Sequence, residues 1–227
     1  MAKYLGKRSR SAGAGVVKRR RMVVPGRTRV SGYYGRYNRA GGNEVKFHDN
    51  VTNATVATAG GIIDNIPTGI ASGTEESQRI GRQITGTRLN FNGILTLPAS
   101  AANATDVVRI MVVMDKQCNG ATFSATDLLD TSGNFLSYRN LENSKRFRVL
   151  YDKRFTLNAT AFDSSNVLTA PFTRFFKGSI PLKGARFEYS GTTGSITELK
   201  SNNLAIFMQS EKGHAVVDMV SRFRYVG

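Results

Sequence analysis

From residue 44 onward, short runs of β-branched and aromatic residues recur between Gly, Asn, Ser, Thr and Pro, with little sustained 3.6-residue periodicity. That pattern predicts strands and an all-β fold. The runs lie near 44–50, 83–97, 107–115, 146–157, 173–182, 185–190, 204–210 and 216–226. Several are two-faced. Leu89 and Phe91 alternate with Arg88, Asn90 and Asn92; Phe147, Val149 and Tyr151 with Arg146 and Arg148; Phe187 and Tyr189 with Arg186 and Glu188; Phe223 and Tyr225 with Arg222 and Arg224. Successive strand side chains point to opposite faces, so each run has one side for a core and one for water or a partner. The run from Val107 to Met114 is apolar on both faces, which predicts a central strand covered on its second face by loops or neighbouring subunits. Eight strands with long loops fit a jelly-roll sandwich, with a closed barrel as the next architecture. A short helix is expected at 125–130, with Ser124 or Thr126 as N-cap, and a further turn near 136–143.

Composition divides the chain in two. The 227 residues are 40% hydrophobic, with 13 Phe and 8 Tyr, enough for one core. The formal net charge of +16 is unevenly placed. Lys3, Lys7, Arg8, Arg10, Lys18, Arg19, Arg20, Arg21, Arg27, Arg29, Arg36 and Arg39 are twelve cations before the first acidic residue, Glu44, so of the 32 Lys and Arg 20 remain to face all 16 acidic residues. Residues 1–43 therefore carry +12 and residues 44–227 only +4. A glycine-rich segment so charged cannot bury enough apolar area to offset its conformational entropy, so 1–43 is expected to be a disordered basic N-terminal arm and 44–227 a folded β-domain. A polyanion is the expected partner.

Two patterns within the arm suggest chemistry. Lys18, Arg19, Arg20 and Arg21, with Lys7 and Arg8 upstream, form a short exposed basic run of the kind read by nuclear-import receptors; any nucleic-acid-binding arm also contains such runs. Downstream, Arg27, Arg29, Arg36 and Arg39 are interleaved with Tyr33, Tyr34 and Tyr37. Tyrosines in that setting can stack on bases at about 1–3 kcal/mol each, whatever the sequence. They can equally pack under the body.

Little else points to chemistry. Cys118 is the single cysteine, which excludes an internal disulfide or a cysteine-based zinc site and fits a reducing compartment. No apolar run reaches the roughly 18 residues of a membrane span, and the N-terminus lacks the apolar stretch of a secretory signal. The Asn-Ala-Thr sequons at Asn53, Asn103 and Asn158 are accordingly read as chance. His48 and His214 are not at ligand spacing, and no glycine-rich loop ends in the Lys-Ser/Thr of a phosphate cradle. Asp49, Asp64, Glu75, Glu76 and Asp115 are scattered, and are expected to pair with arginines of neighbouring subunits more than to hold calcium. No enzyme and no cofactor is expected.

In order along the chain, several segments resemble the capsid proteins of small circular single-stranded DNA viruses that encode a replication initiator, geminivirus coat proteins among them. These are 78–84 (Gln-Arg-Ile-Gly-Arg-Gln-Ile), 108–115 (Val-Arg-Ile-Met-Val-Val-Met-Asp), 146–153 (Arg-Phe-Arg-Val-Leu-Tyr-Asp-Lys), 174–177 (Arg-Phe-Phe-Lys), 204–207 (Leu-Ala-Ile-Phe) and 221–225 (Ser-Arg-Phe-Arg-Tyr). The resemblance implies a jelly-roll shell of roughly sixty copies with icosahedral symmetry. It also implies arms directed at a single-stranded DNA genome, and residence in the virion and, during assembly, the host nucleus. The chain departs from plant geminivirus coat proteins in being shorter and in lacking a cysteine-histidine cluster in its arm, so zinc-dependent DNA binding is not carried over.

Other classes fit less well. Ribosomal and chromatin proteins are small, basic and tailed, but usually carry high charge on the folded body too. A cupin-type enzyme needs two or three metal-binding histidines on neighbouring strands. The coat protein of a small RNA or satellite virus stays open, because charge alone does not distinguish ribose from deoxyribose.

Overall fold

The computed structural model describes residues 44–99, 101, 105–160, 163 and 168–227. The expected arm, with every candidate binding residue in it, lies outside the described residues. Among the described residues nine strands and one short α-helix follow in the order β1 (Val45–Thr55), β2 (Gly61–Asn65), β3 (Gln83–Leu97), β4 (Thr105–Asp115), α1 (Ala125–Leu128), β5 (Phe147–Asn158), β6 (Phe172–Tyr189), β7 (Leu199–Ser201), β8 (Asn203–Ser210) and β9 (Val216–Val226), with a 3-10 turn at Ile196–Glu198 before β7. They form a five-stranded sheet in the order β1-β9-β3-β6-β7 and a four-stranded sheet in the order β2-β8-β4-β5. All named strand pairs are antiparallel. The chain crosses repeatedly between the sheets, and the first four strands of one order face the four of the other. This is the jelly roll, with β7 as a short addition at one edge.

The expected eight strands become nine for local reasons. The segments 173–182 and 185–190 are one strand, β6, which bends without breaking: Gly86 pairs with Ala185 and Arg88 with Pro181, so the intervening residues bulge. Lys183 and Gly184 take positive φ there, 53° and 78°, and the glycine supplies one of those conformations without strain. Strand β2, Gly-Ile-Ile-Asp-Asn, reads as loop by composition but pairs along β8 with its own bulge after Ile62. Strand β7 has only three residues, below what a periodicity can show.

In β5 the expected common face of Phe147, Val149 and Tyr151 is broken. Val112 pairs with Tyr151 and Val113 with Val149, so Leu150 bulges. Tyr151 packs on the core between the sheets, while Phe147 and Val149 join a cluster on the opposite side.

Both faces of β4 are buried. Val108, Ile110, Val112 and Met114 meet the main core with Leu89, Phe91, Leu95, Met219 and Phe223. On the other face Met111 and Val113 pack with Ala205 and Phe207 under Phe123, Leu128 and Leu129. The cover is this chain's own segment 116–146, so no neighbouring subunit is needed there. Within it Ser124 is the N-cap of α1: its hydroxyl accepts from the Asp127 N–H at 3.2 Å, and the Asp127 carboxylate accepts from the Ser124 N–H at 2.8 Å. That reciprocal bond holds the Asp127 carboxyl below its usual range. The turn expected near 136–143 is present, at residues 142–143, and Arg139, within that segment, bridges to Leu129.

Candidate nucleic-acid interface

The described residues carry a cationic surface that the charge count missed: the outer face of the five-stranded sheet. Strand alternation sends Phe187, Phe223 and Tyr225 inward, where the first two rings meet edge to face at 5.4 Å. The same alternation turns Arg186, Arg222 and Arg224 outward. Register then gathers them. Arg88 on β3 stands opposite Arg224 on β9, Asn90 opposite Arg222 and Ser179, and Asn92 opposite Lys177 on β6. Arg88 donates to the Ser179 hydroxyl at 2.8 Å, and that hydroxyl donates to the Asn90 side-chain oxygen at 2.8 Å.

Arg222 is held most firmly. Its guanidinium forks onto Asp49 of β1, at 2.7 and 2.5 Å, and lies 4.9 Å over the Phe47 ring. The hydrogen bond from Arg222 holds the Asp49 carboxyl below its usual range. Arg88, Lys177, Arg186, Arg222 and Arg224 face Asp49, Glu188 and Asp218, so this face is net positive. Guanidinium and amide donors on a flat sheet can hydrogen-bond phosphate oxygens. The alternation of Arg222 and Arg224 with Phe223 and Tyr225 was its signal in the sequence; only the register shows that three strands contribute cations.

The acidic residues resolve differently from expectation. Asp49 and Asp115 do pair with arginines, but within the same chain: Arg146 donates to both Asp115 oxygens at 2.9 and 2.7 Å. Asp64 accepts from Asn50 at 2.9 Å and from Ser221 at 2.8 Å between the two sheets, where burial pushes its carboxyl pKa up. Glu75 and Glu76 are exposed on the loop between β2 and β3. Among the described residues no three His, Cys, Asp or Glu side chains are placed to hold a metal ion. Among them, too, no helix is long and apolar enough to cross a membrane.

No protein-family model matches this chain, and no curated protein matches it. Among solved structures, a chain of Desmodium yellow mottle tymovirus is similar at 11% identity with a TM-score of 0.33, over 82% of this chain and 89% of that one. So loose a likeness bears no weight for function. The jelly-roll assignment rests on the strand order of this chain itself.

Proposed function

We propose that the chain is a viral capsid protein that assembles with copies of itself into a closed icosahedral shell and packages single-stranded DNA through residues 1–43. The supporting observation is a division of labour. A jelly-roll body carries only +4, while a 43-residue segment carries +12 with no acidic residue. A near-neutral body can pack against identical copies without strong self-repulsion, and a concentrated polycation neutralises phosphates whatever the base sequence. Ribosomal and chromatin proteins usually carry high charge on the folded body too.

In this proposal Lys3, Lys7, Arg8, Arg10, Lys18, Arg19, Arg20, Arg21, Arg27, Arg29, Arg36 and Arg39 contact phosphates, and Tyr33, Tyr34 and Tyr37 stack on bases. Lys18 to Arg21 also engage a host nuclear-import receptor before assembly. DNA rather than RNA is assigned by the sequence resemblance to circular single-stranded DNA virus capsids, not by charge. The test is negative-stain microscopy of the purified full chain, followed by nuclease treatment of whatever it encloses. Uniform closed shells with DNase-sensitive contents are expected; soluble monomers overturn the capsid role, and RNase-sensitive contents overturn the DNA assignment alone. Alanines at Lys18 to Arg21 should abolish nuclear accumulation of a fused reporter, and an unchanged nuclear signal returns that cluster to plain nucleic-acid binding.

A further inference from the structure

Two arginines are buried in this domain away from the cationic sheet face, and each freezes a surface loop. Arg109 on β4 is only 3% exposed. It forks onto Asp152 at 2.9 and 2.7 Å, and its remaining nitrogen donates to the Ser137 carbonyl at 2.7 Å and to that of Phe135 at 3.4 Å. Arg79, only 1% exposed, has no carboxylate partner among the described hydrogen bonds. It donates to the carbonyls of Ile70 (3.1 Å), Gly81 and Gly191, and stacks 4.3 Å from the centre of the Tyr189 ring. Desolvating a guanidinium is costly; Arg109 meets that cost with one carboxylate and two loop carbonyls, and Arg79 with carbonyls alone.

The loops so held have opposite character. Over Arg109, the segment 135–141 displays Leu136, Tyr138 and Leu141 at 57%, 87% and 82% exposure. Tyr138 and Leu136 border an open depression of about 760 Å³ that Arg109, Asp130, Arg139 and Arg154 also line. Asp152 neutralises Arg109 there, which leaves Arg139 and Arg154 against Asp130 alone. The hollow is mostly polar and cationic, with Leu136 and Tyr138 as its apolar part. Beside Arg79, the loop 72–79 is closed by Gly73 N–H to the Arg79 carbonyl at 3.0 Å, by Gln78 N–H to the Glu75 carbonyl at 3.0 Å and by Glu75 N–H to the Gln78 side chain at 3.2 Å. Lys46 and the Phe47 N–H tie its acidic turn to β1 through the carbonyls of Glu75 and Glu76. This loop presents Glu75 and Glu76 beside Ile80, which is 58% exposed. It is a projecting acidic turn with an apolar neighbour.

We propose that these two surfaces are the complementary halves of a contact between copies of this chain: the Glu75–Glu76 turn and Ile80 of one copy seat against Arg139, Arg154, Leu136 and Tyr138 of the next. The inference rests on the capsid proposal and names where its subunits touch. Because the halves differ, the contact is head-to-tail, and such a contact propagates into a ring when its rotation closes, as around a symmetry axis of a shell, rather than stopping at a pair. The backbone of each half is already hydrogen-bonded in place, which limits the loop-ordering entropy lost on docking. Tyr138 supplies the aromatic anchor such interfaces favour.

The test uses the full chain under conditions where wild type assembles, with the assembled fraction read by sedimentation and folding read by thermal melting. Glu75→Arg with Glu76→Arg, and separately Arg139→Glu with Arg154→Glu, each place like charges together and should lower the assembled fraction about tenfold while the melt is kept. Combining all four should restore assembly to within about threefold of wild type. Tyr138→Ser, an exposed and uncharged change, should also weaken assembly. Wild-type shells that either charge pair leaves undiminished overturn this contact, as does a folded fourfold variant that stays dispersed while Tyr138→Ser assembles normally. Wild-type protein that never assembles overturns the capsid proposal itself.

Discussion

At Gly178 there is no room for a side chain. It stands opposite Phe91 across β6 and β3, and a Cβ there would meet the Phe91 ring at 2.1 Å. That ring is pinned edge to face against Tyr151 at 5.2 Å. Gly178→Ala should therefore destabilise the domain by about 1–3 kcal/mol in denaturant unfolding, and an unchanged midpoint would show that the ring can move aside. Asp64 makes a contrasting case, because its pKa is raised by burial against the hydrogen bonds from Ser221 and Asn50 and the charge of His48. A carboxyl with a raised folded pKa contributes most below its unfolded value, about 4, and loses that contribution as pH rises through the folded value. Relative to Asp64→Asn, wild type should lose melting temperature as pH rises from about 4 toward 7; a wild-type advantage growing over that range contradicts this. Leu89, Phe91, Phe187 and Phe223 were legible as core from alternation alone. The burial of Arg79, Arg109 and Asp64 was not, since each takes at least one hydrogen-bond partner from a distant segment: Gly191, Asp152 and Ser221.

Among the elements, the two longest strands of regular alternation, β3 and β9, have the bounds their hydrophobic period predicts. Misreadings gather where a bulge shifts the period by one residue, at Leu150 in β5 and at Lys183 and Gly184 in β6. They gather too at β2, which is held by pairing with β8 more than by its own composition. In segment 116–146 the sequence showed the short helix and its Ser124 cap, but not that the segment is a lid over Met111, Val113 and Phe207, which depends on Arg109 and α1. Arg109→Met should leave Asp152 without its partner and the carbonyls of Phe135 and Ser137 without their donor. A loss of about 3 kcal/mol and new protease cleavage between 130 and 140 are expected, read by thermal melting and mass spectrometry of the fragments. A variant as resistant as wild type would mean that the apolar cover alone holds the lid.

For the molecule as a whole, the uneven charge leads to two expectations. Removing residues 1–43 should leave a cooperative thermal transition, because the described domain has its own core; loss of that transition would make the segment part of the fold. For the isolated 1–43 peptide, log affinity for single-stranded DNA should fall linearly with log salt, with a slope near −0.7 per neutralised phosphate. Alanine at Tyr33, Tyr34 and Tyr37 should leave that slope in place and lower affinity by about 1–3 kcal/mol for each ring that stacks, more for single strands than for duplex. Equal losses on both strand types would return the tyrosines to packing.

The pairing of β1 with β9 has a practical side. Val45, where the domain begins, is the register partner of Val226, one residue from the end of the chain, and paired strands lie about 5 Å apart. A tag or reporter appended after Gly227 is thus tethered next to the point where the polycation enters the sheet. If residues 1–43 package nucleic acid as proposed, cargo attached there would compete with the packaged strand for the same volume. A passenger meant for display belongs elsewhere on the body.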